Sequence, residues 1–405
     1  MNEEEILEKI RPSPEEREKI NQVVLKCTHL LEARIREKEL QAHVVLTGSI
    51  AKDTWISGDK NIDIFVIFPH EYTESQLKEY GLTIGKLFSY EIAYAEHPYV
   101  RNFYDGYEID VVPAYQFKEG IRSSVDRTPL HTEYVMTHLK DRDQVRFLKK
   151  FTRSVGVYGS DLKVQGLSGY LCELLVIKFR TFKSILQKAS DWKLYQPPLY
   201  LEKPPQKAFS EPFVFIDPVD SERNVAAVLS EENFTKFVYY SREYIKNPDP
   251  SYFFREPERY TRSEGTELLR IDFHVQLIDD ILFPQLRKAK NFLEQEVERN
   301  GFRVFNSAVF DSGILLELSV FELPPFKKHT GPPIGEREHC DRFLEKHKKI
   351  GFGNGKIYAV TKRKYTRAYD LVRDLLTSKK GFGKDLTKAE YDLTTVSGGI
   401  DVVIY

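Results

Sequence analysis

A chain of 405 residues exceeds what one hydrophobic core ordinarily organises, so two to four domains with clefts between them are expected. An apolar share of 41% beside a charged share of 30%, with no run near ~18 apolar residues, excludes both a disordered chain and a membrane span. The net charge of −1 excludes a protein that grips nucleic acid with its whole surface, so any RNA site must be regional. Three widely spaced cysteines, Cys27, Cys172 and Cys340, fit neither a disulfide framework nor a zinc site. The acidic start MNEEEILEKIRPSPEE lacks the pattern of a secretory signal, and a cytoplasmic protein is expected.

In chain order, Ser13-Pro14-Glu15-Glu16 reads as an N-cap, a first-turn proline and acidic residues suited to the helix dipole. Ile20, Val23, Val24, Cys27, Leu30, Leu31 and Ile35 then recur at steps of three and four, the signature of an amphipathic helix. From His43 the period shortens. HVVLTGS is a short strand ending in Gly-Ser, residues 62–69 form a second strand, and YEIDVVPAY (107–115) forms a third after an Asp105-Gly106 hairpin signal. A helical segment from about Thr73 to Ala93 separates them, which makes a small mixed domain around one sheet.

Residues 143–190 read as helical, with a buried helix in GLSGYLCELLVIKFRTF (166–182). A proline-rich connector, YQPPLYLEKPP (195–205), crosses the surface without regular structure, and a helix follows near 231–246. The last third reads as a strand over 268–277, a helix over 281–299 and a hairpin over 302–321 that turns at Asp311-Ser312-Gly313.

Chemistry concentrates where the patterns are interrupted. Asp63 breaks the apolar run of Ile62, Ile64, Phe65, Val66 and Ile67, and Asp110 sits between Ile109 and Val111. A carboxylate in a buried strand is costly unless a cation or a donor compensates it, so two such strands after Gly48-Ser49 point to a shared cation site. Moving a nucleotidyl group requires neutralised triphosphate charge and an activated 3′-hydroxyl, which hard-oxygen-bound Mg2+ supplies. The small Gly48 and Ser49 would let backbone amides approach the phosphates. Taken singly, a Gly-Ser turn or a strand-end aspartate is commonplace; the order and spacing of the three carry the specificity.

GSIAKDTW, NIDIFVIFP, YEIAYAEHPYV, EIDVVPAY, SSVDRTPLH, VYGSDLKVQGLSGYLCELL and DPVDSERNVAAVLS together resemble the archaeal-type (class I) CCA-adding enzymes, which are tRNA nucleotidyltransferases, over nearly the whole chain. The resemblance implies an α+β multidomain fold: a polymerase-β-like nucleotidyltransferase head (1–140), a helical neck akin to that of poly(A) polymerases (141–262), and an RRM-like α/β body with a helical tail (263–405) that holds tRNA. It implies template-independent addition and repair of the 3′-terminal CCA from CTP and ATP with two Mg2+ ions, and a homodimer in many members. By resemblance, Asp63 and Asp110 are catalytic and bind metal, with Asn61 at the third metal position. Gly48, Ser49, Lys52, His131, Lys149 and Tyr158 fall at nucleotide-binding positions, and Arg223 at the one that helps read the incoming base. Lys52 stands where arginine is commoner, so a bidentate phosphate fork is lost. Ordinary alternatives stay open: a capping role for His131, a solvated Lys149, core packing for Tyr158, and an ion pair of Arg223 with Asp220.

Asn61 departs from the pattern, because the family carries a carboxylate two residues before Asp63. An amide offers one neutral oxygen and no charge. Asp59, in the preceding turn, is a poor geometric substitute. If the lost charge limits the site, Asn61→Asp or Asn61→Glu raises incorporation by orders of magnitude; a weakened or silent binder of tRNA 3′ ends is the alternative. The basic residues between Lys356 and Lys388, including Lys362, Arg363, Lys364 and Arg367, interleave with Tyr358, Tyr365, Tyr369 and Phe382, which suits RNA phosphates and stacked bases. The glycine-rich GFGNGK and SKKGFGK lack phosphate-loop spacing and read as turns.

Overall fold

A computed structural model describes residues 3–94, 98–116, 124–396 and 400–405. The chain divides into two compact units, Met1–Pro257 and Glu258–Tyr405. Ala95-Glu96-His97 of the YEIAYAEHPYV motif and Ser123 of SSVDRTPLH lie outside the described residues.

The first unit opens with α1 (Glu3–Ile10) and α2 (Pro14–Glu37). Ser13 caps α2 as its sequence predicts: Ser13 Oγ accepts from the Glu16 amide at 3.2 Å while Glu16 Oε2 accepts from the Ser13 amide at 2.8 Å. Next come β1 (His43–Thr47), the single turn α3 (Gly48–Ala51), β2 (Asn61–Phe68), α4 (Glu74–Gly85), β3 (Ser89–Tyr94), β4 (Pro98–Tyr104) and β5 (Tyr107–Tyr115). The strands form a five-stranded sheet in the order β1-β2-β5-β4-β3, with β2 and β5 parallel and the other pairs antiparallel. Asp105 and Gly106, at φ of 51° and 77°, make the tight β4–β5 turn that the Asp-Gly pair predicts.

The predicted helix over Thr73–Ala93 is corrected here: α4 ends at Gly85, and Ser89–Tyr94 is an edge strand paired with β4. β3 is exposed along most of its length, so it lacks the alternation that marks a half-buried strand, and cross-strand pairing rather than local pattern decided its form.

The rest of this unit is mostly helical: α5 (Arg127–His138), α6 (Arg142–Ser154), α7 (Gly169–Phe179), α8 (Phe182–Ala189), the short pair β6 (Ile216–Asp217) and β7 (Asp220–Asn224), and α9 (Glu231–Lys246). Phe147, Phe151, Phe182, Phe213, Phe237 and Phe253 fill its core. The 166–182 segment is not one helix, because it breaks at Arg180, whose φ is 74°.

The second unit contains β8 (Glu267–His274), α10 (Asp279–Arg299), β9 (Arg303–Phe310), β10 (Gly313–Val320), β11 (Phe326–Pro333), α11 (Arg337–Lys346), β12 (Ile350–Gly353), β13 (Lys356–Lys362), α12 (Ala368–Ser378) and β14 (Glu390–Val396). β8, β9, β10 and β14 form an antiparallel sheet in the order β14-β8-β10-β9, against which α10 and α12 pack their apolar faces. Inserted between β10 and α12 is a separate sheet, β11-β13-β12, that the sequence pattern did not predict. Asn354-Gly355, at φ of 52° and 70°, turns its hairpin, so only the centre of GFGNGK is a turn, while residues 351–353 and Lys356 belong to β12 and β13.

Candidate active site

Strand alternation decides which side chains face which way in the first sheet. Ile62, Ile64, Val66 and Phe68 of β2, with Tyr107, Ile109 and Val111 of β5, join Ile20, Val23, Cys27 and Leu31 of α2 in one core. The intervening residues, Asn61 and Asp63 on β2 and Glu108 and Asp110 on β5, are therefore on the opposite face. There Asp63 pairs in register with Asp110 and with Thr47, while Asp110 pairs with Arg101 and Arg101 with Glu91. The two aspartates singled out in the sequence thus stand side by side on adjacent parallel strands.

Gly48 presses against this pair. A Cβ on Gly48 would lie 2.0 Å from Asp63 Oδ2, and its φ of +69° is one that side-chain-bearing residues rarely adopt. Burial, and then the Asp110 charge, push the Asp63 carboxyl above its ordinary range, with Lys52, Arg101 and Lys149 opposing. Arg101 holds Asp110 with two bonds, from Nε at 2.8 Å and Nη2 at 3.0 Å, and this carboxylate holds the guanidinium firmly protonated. Asn61 donates from Nδ2 to Glu108 Oε2 at 3.4 Å. Among the described residues no group of three or more His, Cys, Asp or Glu side chains converges in a metal-holding arrangement.

Lys52 and Lys149 meet around a residue that the sequence reading missed. Glu173 of α7, fully buried, accepts from Lys52 Nζ at 2.6 Å and from Thr54 Oγ1 at 2.5 Å, with Lys149 Nζ at 3.6 Å. Burial raises its pKa, but the charges of Lys52 and Lys149, with bonds from Lys52 and Thr54, outweigh this and leave it below the ordinary glutamate value. Lys149 also donates to the Thr54 carbonyl at 3.0 Å. Lys149 is thus buried rather than one of a solvated pair. Glu173 interrupts the apolar run of α7 as Asp63 interrupts β2, and the same test on that helix would have found it.

His131, Tyr170 and Arg223 converge on a second missed residue, the buried Asp217. His131 Nε2 lies 2.9 Å from Asp217 Oδ2, Arg223 Nη1 donates to the same oxygen at 2.7 Å, and Tyr170 Oη donates to Oδ1 at 3.1 Å. His131 stacks on Tyr170 with ring centroids 4.0 Å apart. Burial lowers the His131 pKa in spite of Asp217; Asp217 itself is lowered because His131 and Arg223 outweigh its burial. Arg223 pairs with Asp217, whereas Asp220 takes Arg127 at 2.8 Å. A cavity of about 1020 Å³ adjoins this cluster, lined by Arg127, Ser160, Ser168, Lys207, Asp220 and Arg223 among others. Lys52 Nζ lies 5.9 Å from the Tyr170 ring, which links the two clusters.

Tyr158 is packed beneath Arg153, 4.7 Å from its ring, and burial pushes the phenol up to about 12. Arg153 in turn binds Asp59 at 2.6 and 3.2 Å, and Asp59 accepts from the Ile56 amide. Asp59 is engaged away from the carboxylate row, as its turn position led one to expect.

Three family models match in succession: a nucleotidyltransferase domain over residues 29–131, the second domain of tRNA nucleotidyltransferases over 143–254, and the C-terminal domain of CCA-adding enzymes over 264–397. The CCA-adding enzyme of Methanocaldococcus jannaschii is 37% identical over 92% of this chain and 89% of its own length. Those of Haloarcula marismortui, 36% identical over 96% and 92%, and of Pyrococcus abyssi, 37% over 92% and 88%, are similar throughout as well. The chain belongs to the archaeal CCA-adding enzyme family.

The basic segment falls in the second unit, within the residues that match the C-terminal domain of CCA-adding enzymes. Lys362, Lys364 and Arg367 are exposed where β13 runs into α12. Lys364 lies 3.9 Å from Asp374 and Arg367 3.8 Å from Glu322, both loose surface pairs. Arg363 turns inward and donates from Nη1 to the Asn300 carbonyl at 3.1 Å at the end of α10, with Nε buried and unpartnered among the described residues. No helix of the described residues is long and apolar enough to cross a membrane.

Proposed function

We propose that this chain synthesises and repairs the 3′-terminal CCA of tRNA without a nucleic-acid template, using CTP and ATP and releasing pyrophosphate. The observation that carries the reading is the in-register pairing of Asp63 with Asp110 under Gly48, in a chain similar to CCA-adding enzymes along almost its whole length. Residues 1–140 act as a polymerase-β-like head, 141–262 as a neck, and 263–405 as body and tail. The strand order β14-β8-β10-β9, with helices after the first and third of these strands in chain order, supports an RRM-like body.

Asp63 and Asp110 fit a divalent ion: both are hard oxygen donors, and the missing Cβ of Gly48 leaves room for Asp63 Oδ2. Mg2+ bound there supplies charge neutralisation and lowers the pKa of the RNA 3′-hydroxyl. Asp110, beside it, is the residue assigned to help activate that hydroxyl. The 3′-hydroxyl oxygen of the RNA, giving up its proton toward Asp110, bonds to the α-phosphorus of CTP or ATP as the bond to the pyrophosphate oxygen breaks, and pyrophosphate leaves. The two ammonium groups of Lys52 and Lys149 against the single carboxylate of Glu173 leave one positive charge near Asp63 for the triphosphate. Ser49, His131 and Tyr158 complete the nucleotide contacts, and Arg223, fixed by Asp217, presents a directed guanidinium toward the base. Lys362, Lys364 and Arg367 are assigned to RNA, whereas the Arg363 guanidinium is engaged by the Asn300 carbonyl.

Incubating the purified chain with tRNA ending at the discriminator base, CTP, ATP and Mg2+ gives a product three nucleotides longer if the reading is right. An end-binding protein without catalysis would hold the tRNA and release no pyrophosphate, and a plain poly(A) polymerase would add only A.

A further inference from the structure

The sheet face that bears Asp63 and Asp110 has Asn61 where the family resemblance expects a carboxylate. Two carboxylates and a neutral amide are a thin charge supply for divalent ions that also carry a triphosphate. Strand register brings up another group. Asn61 pairs with Glu108 as Asp63 pairs with Asp110, and Glu108, two residues before Asp110, shares its face.

Asn61 and Glu108 already touch, at 3.4 Å from Nδ2 to Oε2. Arg101 reports independently on where both β5 carboxylates reach. Its Nε lies 2.8 Å from Asp110 Oδ1 and 3.9 Å from Glu108 Oε2, so one positive group draws on both. Glutamate has one methylene more than aspartate, and neighbouring strands are only about 4.8 Å apart, so its carboxylate spans much of the offset from position 61. Glu108 is half-exposed and its side chain can turn toward the aspartates.

We propose that Glu108 is a metal-binding carboxylate of this chain and supplies the charge that Asn61 does not. The proposal rests on the assignment of this face as the nucleotidyl-transfer site. An incoming cation competes with Arg101 for the oxygens of Asp110 and Glu108. With Glu108 in place, Asn61→Asp alone gains little, and the large rate increase that charge starvation would give does not occur.

Mn2+ binding to the full-length protein, followed by the electron paramagnetic resonance of free Mn2+ without nucleotide or RNA, separates the possibilities. Glu108→Gln should weaken binding by about tenfold or more, the scale of losing one group from a metal site. Asn61→Asp in that background should restore it. Wild-type affinity in Glu108→Gln, alongside lost binding in Asp63→Asn, overturns the proposal and leaves the metal site standing; wild-type affinity in Asp63→Asn ends both. A double variant as weak as Glu108→Gln, or a tenfold gain from Asn61→Asp alone, also overturns it.

Discussion

Asp63 shows how a residue with a proposed metal-binding role works against the fold that carries it. Its folded pKa is raised by burial and by Asp110, so the native state holds this proton more tightly than the unfolded chain does. Stability is lost as pH rises from the ordinary aspartate range through the folded value. Asp63→Asn removes that cost, and thermal unfolding in EDTA at neutral pH should occur about 2–4 °C higher, the shift that ~1 kcal/mol produces in a unit of this size. The same variant should lose nucleotide incorporation. Gly48→Ala carries the opposite signature. The new Cβ meets Asp63 and the backbone must hold a left-handed φ, so about 1–2 kcal/mol of stability is lost. Incorporation should fall by roughly 100-fold or more from displacement of the carboxylate. A Gly48→Ala protein with wild-type turnover would mean that the close approach of Gly48 does not matter to the site.

At the scale of elements, α7 is tied to the turn after α3 by Glu173, which binds Lys52 and Thr54 directly. Glu173→Ala leaves two buried ammonium groups without their carboxylate and should cost about 3–5 kcal/mol in urea unfolding followed by Trp fluorescence. The folded pKa of Glu173 is lowered, so its contribution is present above the unfolded value near 4.5 and disappears as pH falls through the lower folded value. Below that range, wild type and Glu173→Gln should converge in stability; a gap that persists in acid would show that shape rather than charge holds this junction. The capped α2 needs no such help. Ser13 and Glu16 close its first turn locally, and Glu16 also accepts from the Gly58 amide at 2.8 Å, so one side chain both starts a helix and anchors a loop.

Across the whole molecule the charge is nearly balanced, so affinity for a polyanion must come from local clusters. Replacing Lys362, Lys364 and Arg367 with Gln should weaken tRNA binding and flatten its logarithmic salt dependence by about one unit for each phosphate contact removed. An unchanged slope would place the RNA elsewhere. Arg363 differs from these, because its guanidinium serves the end of α10; Arg363→Gln should destabilise the second unit by about 1.5–3 kcal/mol, the scale for a charged hydrogen bond.

The sequence by itself determined the local order of this protein. Heptad-like spacing marked α2, alternation marked β2 and β5, Asp-Gly marked the β4–β5 turn, and Asp63 and Asp110 stood out because an acid in an apolar strand requires a compensating partner. Each of these signals is contained within a few neighbouring residues, which is why it survives in one dimension. The exposed edge strand β3 and the inserted β11-β13-β12 sheet bury too little of any one face to leave an alternating pattern, so only their pairing defines them. Glu173, Asp217, Arg101 and Glu108 acquire their partners from strands and helices up to 121 residues away, as in the Lys52–Glu173 bond. Which charges meet, and therefore which carboxylate is raised and which lowered, was decided by strand register and helix packing alone.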